Sequence, residues 1–207
     1  MVAQITLRSG KPWLAAWCVA LAMLIEGCAS QGQIVAAIKE VNEVFKVEYE
    51  AILAKDGTRV YKVARAEAYD AVRVSMARLG MTVEAQDPVL GYVNVFAAAP
   101  LPLNAGEWRE AAAADRPRLQ EICRHHAVLE CFFIDFEPAG LESVITGTVF
   151  ESRGGTAISF TARMREVAPP PSGYPRREYL PPTAVRMALA KMWREIEREF
   201  KATVRRP

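Results

Sequence analysis

The sequence predicts an α+β fold in which helices pack against an antiparallel sheet, and three features point there. An amphipathic stripe over Arg65–Leu79 sits between short extended runs, giving a β-α-β-β order. Two longer extended runs, Ser143–Phe150 and Ala157–Val167, follow each other with Gly154-Gly155 to turn the chain. Strands joined so closely run antiparallel, because parallel neighbours need long crossovers. A second long stripe, from Thr183 to about Thr203, closes the chain. With 51% hydrophobic and 24% charged residues among 207, the chain has enough apolar material for a core and is no disordered tail.

The N-terminus reads as an address. Met1–Lys11 carries Arg8 and Lys11 and no acid; Pro12–Ile25 is then 14 residues without a charge, closed by Glu26. A spanning helix needs about 20 apolar residues, so this run is too short to cross a bilayer and suits a secretory signal. Leu24-Ile25-Glu26-Gly27-Cys28 resembles the lipobox of bacterial lipoproteins. Ile25, Gly27 and Cys28 match that pattern, whereas Glu26 stands where the family has a small uncharged residue. The resemblance implies cleavage before Cys28, with a diacylglycerol on its sulfur and a further acyl chain on the new amino group. Several chains hold a protein where one does not, at about 0.8 kcal/mol per buried CH₂. Ala29 follows in place of the aspartate linked to inner-membrane retention, which implies the periplasmic face of the outer membrane. Gly27-Cys28-Ala29 also fits ordinary signal cleavage, and an uncut anchor is the third reading. The expected organisation is a signal over 1–27, a lipid-bearing segment over 28–57, and an α+β domain over 58–207 with a proline-rich connector at 168–182.

Within the exported chain, Ile34, Ile38 and Val41 mark a helix over Gln31–Val44. Phe45, Val47, Tyr49 and Ala51 then alternate with charged residues, which favours a strand, turned at Asp56-Gly57 into an extended run over Val60–Val63. A single helix over Gln33–Ala54 competes, since Phe45 and Ile52 continue the helical face. Tyr69, Val72, Met76 and Leu79 define the next helix, stopped by Gly80. Met81–Ala85 and Tyr92–Ala97 are extended, with Asp87-Pro88 and Gly91 between them. Asn104 caps a helix to about Cys123 that Pro117 can break. Val128–Phe136 reads as a buried central strand. Six prolines in Pro169–Pro182 exclude regular structure there, leaving a stiff connector or an exposed segment offering Tyr174, Arg176, Arg177 and Tyr179 to a partner. Thr183 caps the last helix, whose face is Val185, Leu189, Met192, Ile196 and Phe200, with Trp193 at the margin. This order of elements resembles helix-grip modules, a type found in outer-membrane assembly accessory lipoproteins.

No catalytic constellation stands out. His125 and His126 are the only histidines, no Gly-x-Ser-x-Gly elbow surrounds a serine, and Asp135 and Glu137 read as a solvated pair. No cofactor motif occurs. Cys18 leaves with the signal and Cys28 takes lipid, so Cys123 and Cys131, with seven residues between them, remain to form a disulfide or stay as buried thiols. A metal site at the histidines is not expected, because adjacent residues on an extended segment point oppositely. Net charge of +2 gives no sign of a nucleic-acid partner. Charge is uneven: Glu84–Glu151 holds 11 acids against 4 bases, and Arg163–Pro207 holds 11 bases against 5 acids. The expectation is a membrane-anchored, non-catalytic envelope protein that contacts another envelope component through the proline-rich segment or the basic helix. The alternative is a carrier for a small apolar ligand held between the last helix and the sheet.

Overall fold

In the computed structural model, which describes residues 29–128, 136–167, 170 and 172–203, the first helix, α1, runs unbroken over Gln31–Asp56. Ser30 opens it with a capping box: its side chain accepts from Gln33 N (3.3 Å), and Gln33 Oε1 accepts from Ser30 N (2.7 Å). The strand expected over Phe45–Ala51 is therefore corrected. Its alternation would put Val47 on the same face as Phe45, yet Val47 is 65% exposed while Phe45 is 1% exposed. Ile34, Ile38, Val41, Phe45 and Ile52 are buried together, which is helical spacing. Asp56-Gly57 ends this helix instead of turning a hairpin, with Gly57 N donating to Leu53 O (2.9 Å).

Strand β1 (Thr58–Tyr61) follows, then α2 (Arg65–Arg78), β2 (Thr82–Asp87), β3 (Tyr92–Ala98), α3 (Ala105–His125), a 3₁₀ turn at Pro138–Gly140, β4 (Leu141–Ser152), β5 (Gly155–Glu166) and α4 (Pro182–Thr203). The β-α-β-β unit is present, and Gly80 takes the left-handed stop with φ 80°. Asp87 Oδ1 ties the β2–β3 turn by accepting from Val89 N (2.8 Å) and Leu90 N (2.9 Å). Helix α3 carries the expected Asn104 cap and passes through Pro117 without a break. Its end corrects the reading of His125 and His126 as extended residues: His125 is the last helical residue and His126 the C-cap. The strand expected over Val128–Phe136 lies almost wholly outside the described residues.

The five strands form one antiparallel sheet in the order β1-β5-β4-β3-β2. Val93, Val95, Leu141, Ile145, Val149, Ile158 and Phe160 face the helices and are buried. Their alternates, among them Thr148, Thr161 and Arg163, are exposed on the opposite face. Gly147 sits under α2, where a Cβ would meet Phe160 Cε1 at 2.9 Å and Val72 Cγ1 at 3.1 Å, so only glycine allows this close helix–sheet approach. The core also includes Ile34, Val41 and Phe45, so α1 packs with the elements that follow it.

Helix α4 buries Val185, Leu189, Met192 and Ile196 as expected, but two readings of it are corrected. Trp193 is 1% exposed, not marginal: its ring packs on Phe160 (4.8 Å between centroids) and its Nε1 donates to Asp56 O (2.8 Å). Thr183 is not the cap. The helix begins at Pro182, and the buried Asp115 of α3 reaches across to accept from Thr183 N (3.0 Å) and from Thr183 Oγ1 (2.6 Å). The buried Glu195 and Glu199 of α4 both pair with Arg78 of α2.

Candidate functional site

Strand β5 is twelve residues long and β1 only four, so β1 pairs with Thr156–Ser159 and stops. Past that point the outer edge of β5 is closed briefly by other groups. Gly57 O accepts from Phe160 N (2.8 Å), and the Tyr49 hydroxyl accepts from Ala162 N (3.0 Å). Edge groups alternate by two along a strand, so the Met164 N–H and the Ala162 and Met164 carbonyls point the same way. Among the described residues no strand lies along them.

Across from this edge runs the proline-rich connector. Asn42 on α1 holds it, with Nδ2 donating to Arg176 O (2.9 Å) and Oδ1 accepting from Glu178 N (3.1 Å). One side-chain amide thus does for the connector what a neighbouring strand would do. Between the two lies a groove of about 690 Å³, within the usual range for a binding cleft. Tyr49, Leu53, Ala162, Arg163, Arg176 and Tyr179 are among its lining residues. Tyr49 and Tyr179 meet with ring centroids 5.7 Å apart and form one end. Burial raises the Tyr49 hydroxyl above its ordinary value, and its hydrogen bond from Ala162 and the charge of Arg163 oppose that rise.

The charges in the groove divide into paired and unpaired. Arg165 Nε donates to Glu142 Oε2 (2.6 Å), and Arg177 Nε donates to Glu166 Oε1 (2.7 Å) while lying over the Phe136 ring. No carboxylate of the described residues is within ion-pair distance of Arg163 or Arg176, and both are exposed. Glu166 is buried and its second oxygen has no hydrogen-bond partner. Among the described residues the groove therefore offers two exposed cations and the backbone edge of β5 past the end of β1. Such backbone can pair with the main chain of an extended segment, and such cations can pair with acidic side chains. In a second hollow, of about 610 Å³ beside α2, Arg65 donates to Val149 O and Val89 O, and Arg73 pairs with Asp70.

Of the four connector residues singled out in the sequence, Arg176 is exposed, and Tyr174, Arg177 and Tyr179 are half-buried against the domain. The basic character of α4 is mostly neutralised by neighbours: Arg186 pairs with Glu48, Lys191 with Glu107, and Arg198 with Glu195. The apolar space between α4 and the sheet, bounded by Trp108, Ile145, Leu180, Val185 and Leu189, holds about 20 Å³. That is room for about one water, far below the ~300 Å³ at which ligand pockets begin. Cys28 and Cys131 lie outside the described residues, as does Asp135. Cys123 is disulfide-bonded. Ser143 is buried in β4, and Glu137 precedes the 3₁₀ turn. Sequence reasoning missed Asn42, Tyr49 and Arg163 as site residues. Only the charge of Arg163, on a strand edge, was a signal that could have found one of them.

The fold class is thus α+β: among the described residues an antiparallel five-stranded sheet with helices packed on one face and a long C-terminal helix across it. No protein-family model, curated protein or solved structure matches the chain. Among the described residues no helix is long and apolar enough to cross a membrane.

Proposed function

We propose that this chain is a lipid-anchored envelope protein, attached through Cys28 to the periplasmic face of the outer membrane, whose domain docks an extended acidic segment of another envelope protein. It acts without catalysis and needs no cofactor. The observation that carries the docking reading is the groove along β5, where Arg163 and Arg176 are exposed, make no ion pair among the described residues, and flank the part of β5 that β1 does not reach. The anchoring reading draws on the sequence around Cys28 and on where folding starts. Ala29 packs against the core and Ser30 caps α1, so a lipid on Cys28 leaves no slack linker before the domain. Helix α1 would stand the groove, near Tyr49 and Leu53, up to about 30 Å from the acyl chains at 1.5 Å rise per residue. The acidic specificity follows from the two free guanidiniums, which form two-pronged bonds with carboxylates.

The test is site-specific photo-crosslinking in cells that make the full chain. A crosslinker at Thr161 or Arg163 in the groove is expected to capture one discrete envelope protein, and one at Val47 on the far exposed face of α1 is not. Arg163→Glu with Arg176→Glu is expected to abolish the adduct at Thr161 while the purified chain keeps its melting temperature. Equal capture at Val47, or an adduct that survives double charge reversal, overturns the docking reading.

A further inference from the structure

We infer that Glu40, His125 and His126 form a binding site for a late first-row divalent cation, with Zn²⁺ as the representative ion. Helix α1 brings Glu40 and the end of α3 brings both histidines, so the site bridges two elements 85 residues apart in sequence. Glu40 Oε2 lies 2.6 Å from His126 Nε2 and 3.0 Å from His125 Nδ1, and the three candidate donor atoms all lie within 4.8 Å of one another. Donor atoms on a tetrahedral Zn²⁺, each at about 2.1 Å, stand about 3.4 Å apart. Each carboxylate–imidazole pair therefore needs to open by less than an ångström to hold an ion at the centre, and the two ring nitrogens, within 4.8 Å of each other, settle to the same spacing. The usual objection to neighbouring histidines fails here. At a helix terminus followed by a turn the two rings do not splay apart; their centroids are 4.9 Å apart.

The chemistry of the donors sets the ion class. Two imidazole nitrogens and one carboxylate oxygen suit Zn²⁺, Ni²⁺ or Cu²⁺ and disfavour Ca²⁺ and Mg²⁺, which take mainly oxygen ligands. A carboxylate oxygen only accepts, so in the ion-free chain both facing nitrogens carry a proton. On binding, each ring presents its lone pair at that nitrogen and keeps its proton on the other; a doubly protonated ring releases one to solvent. His125 is 71% exposed and Glu40 33%, so an ion can enter from solvent and complete its shell with water. Cys123, in a disulfide, and the hydrogen bond from Val128 N to Cys123 O (2.8 Å) fix the backbone next to the site. The ion would clamp α1 to the end of α3.

The measurement is calorimetric titration of Zn²⁺ into the untagged, folded chain at pH 7.5. One equivalent per chain is expected. Glu40→Gln and His126→Ala are each expected to weaken binding by more than about tenfold, the range seen when metal-site partners are lost. His125→Ala, at an exposed position, carries no risk to folding and should weaken binding likewise. Zn²⁺ should raise the melting temperature of the wild type and not of Glu40→Gln, and Ca²⁺ should do neither. Affinity should fall as pH drops through the imidazole range, because the ligands must be unprotonated. No stoichiometric binding by the wild type, or binding unchanged in Glu40→Gln and His126→Ala, overturns the proposal. None of these results depends on the groove or the lipid.

Discussion

Asp115→Ala removes a side-chain cap at the start of α4, and its cost can be worked from the contacts. The carboxylate accepts from Thr183 N at 3.0 Å and from the Thr183 hydroxyl at 2.6 Å, and Asp115 is only 9% exposed. Losing an N-cap costs typically about 1 kcal/mol. A hydrogen bond to a charged group adds about 1.5–3 kcal/mol, and an anion at a helix N-terminus about 0.3–1 kcal/mol. These overlap, since one carboxylate supplies all three, and about 3 kcal/mol is the expected total. For a domain of this size each kcal/mol moves the melting temperature by roughly 2–4 °C, so a fall of about 9 °C is expected. Asp115→Asn keeps one acceptor and should lose about half of that, and Thr183→Val should lose about 1 kcal/mol. Urea denaturation followed by circular dichroism gives the three values and the double mutant. Because the residues touch, the double mutant should be less destabilised than the sum of the singles, by about 1 kcal/mol. A change under about 0.5 kcal/mol for Asp115→Ala, or strict additivity, refutes the cap.

Two further outcomes follow from named contacts. The hydrogen bond from Lys191, and then that from Asn104 N, hold the Glu107 carboxyl below its ordinary value. Its proton therefore binds more weakly in the folded chain, so the stabilisation is complete above the unfolded value near 4.5 and is lost as pH falls through and below it. The wild-type stability should decline over that acid window, and the decline should be shallower in Glu107→Gln, measured by denaturation at a series of pH values. For Cys123, non-reducing peptide mapping should recover a Cys123–Cys131 link. Closing so short a loop is worth about 2–3 kcal/mol, so Cys123→Ser should lower stability by that amount; a free thiol at Cys123 in the chain purified without reductant contradicts this.

Much of the fold was legible because local signals agreed. The stripe of Tyr69, Val72 and Met76 ended by Gly80, the hairpin between β4 and β5, and the long final helix each combine period and punctuation within one segment. Where two periods coincide, reading failed. From Phe45 to Ala51 the apolar residues satisfy both alternation and a helical face, and only tertiary burial of Phe45 and Ile52, with Val47 outside, decides for the helix. Trp193 was misplaced because a single stripe predicts a narrow buried arc. With Phe160 and Tyr61 packing on its ring and Asp56 accepting from its indole, the buried arc of α4 is wider than any one-sided helix would show. The cap on α4 was invisible for another reason: its acceptor is 68 residues away on α3. The groove is of the same kind. It depends on β1 being short, on Asn42 holding the connector and on Tyr49 closing one edge group, and none of these contacts is local.

The proposed placement of the whole domain rests on acylation of Cys28, two residues before the cap of α1. Mass spectrometry of the chain recovered from membranes tests this directly. The predicted result is an N-terminal peptide that begins at Cys28, with a diacylglyceryl group on sulfur and an acyl group on nitrogen. An unacylated chain that begins at Met1, or one cut after Ala29 and free in the periplasm, contradicts it.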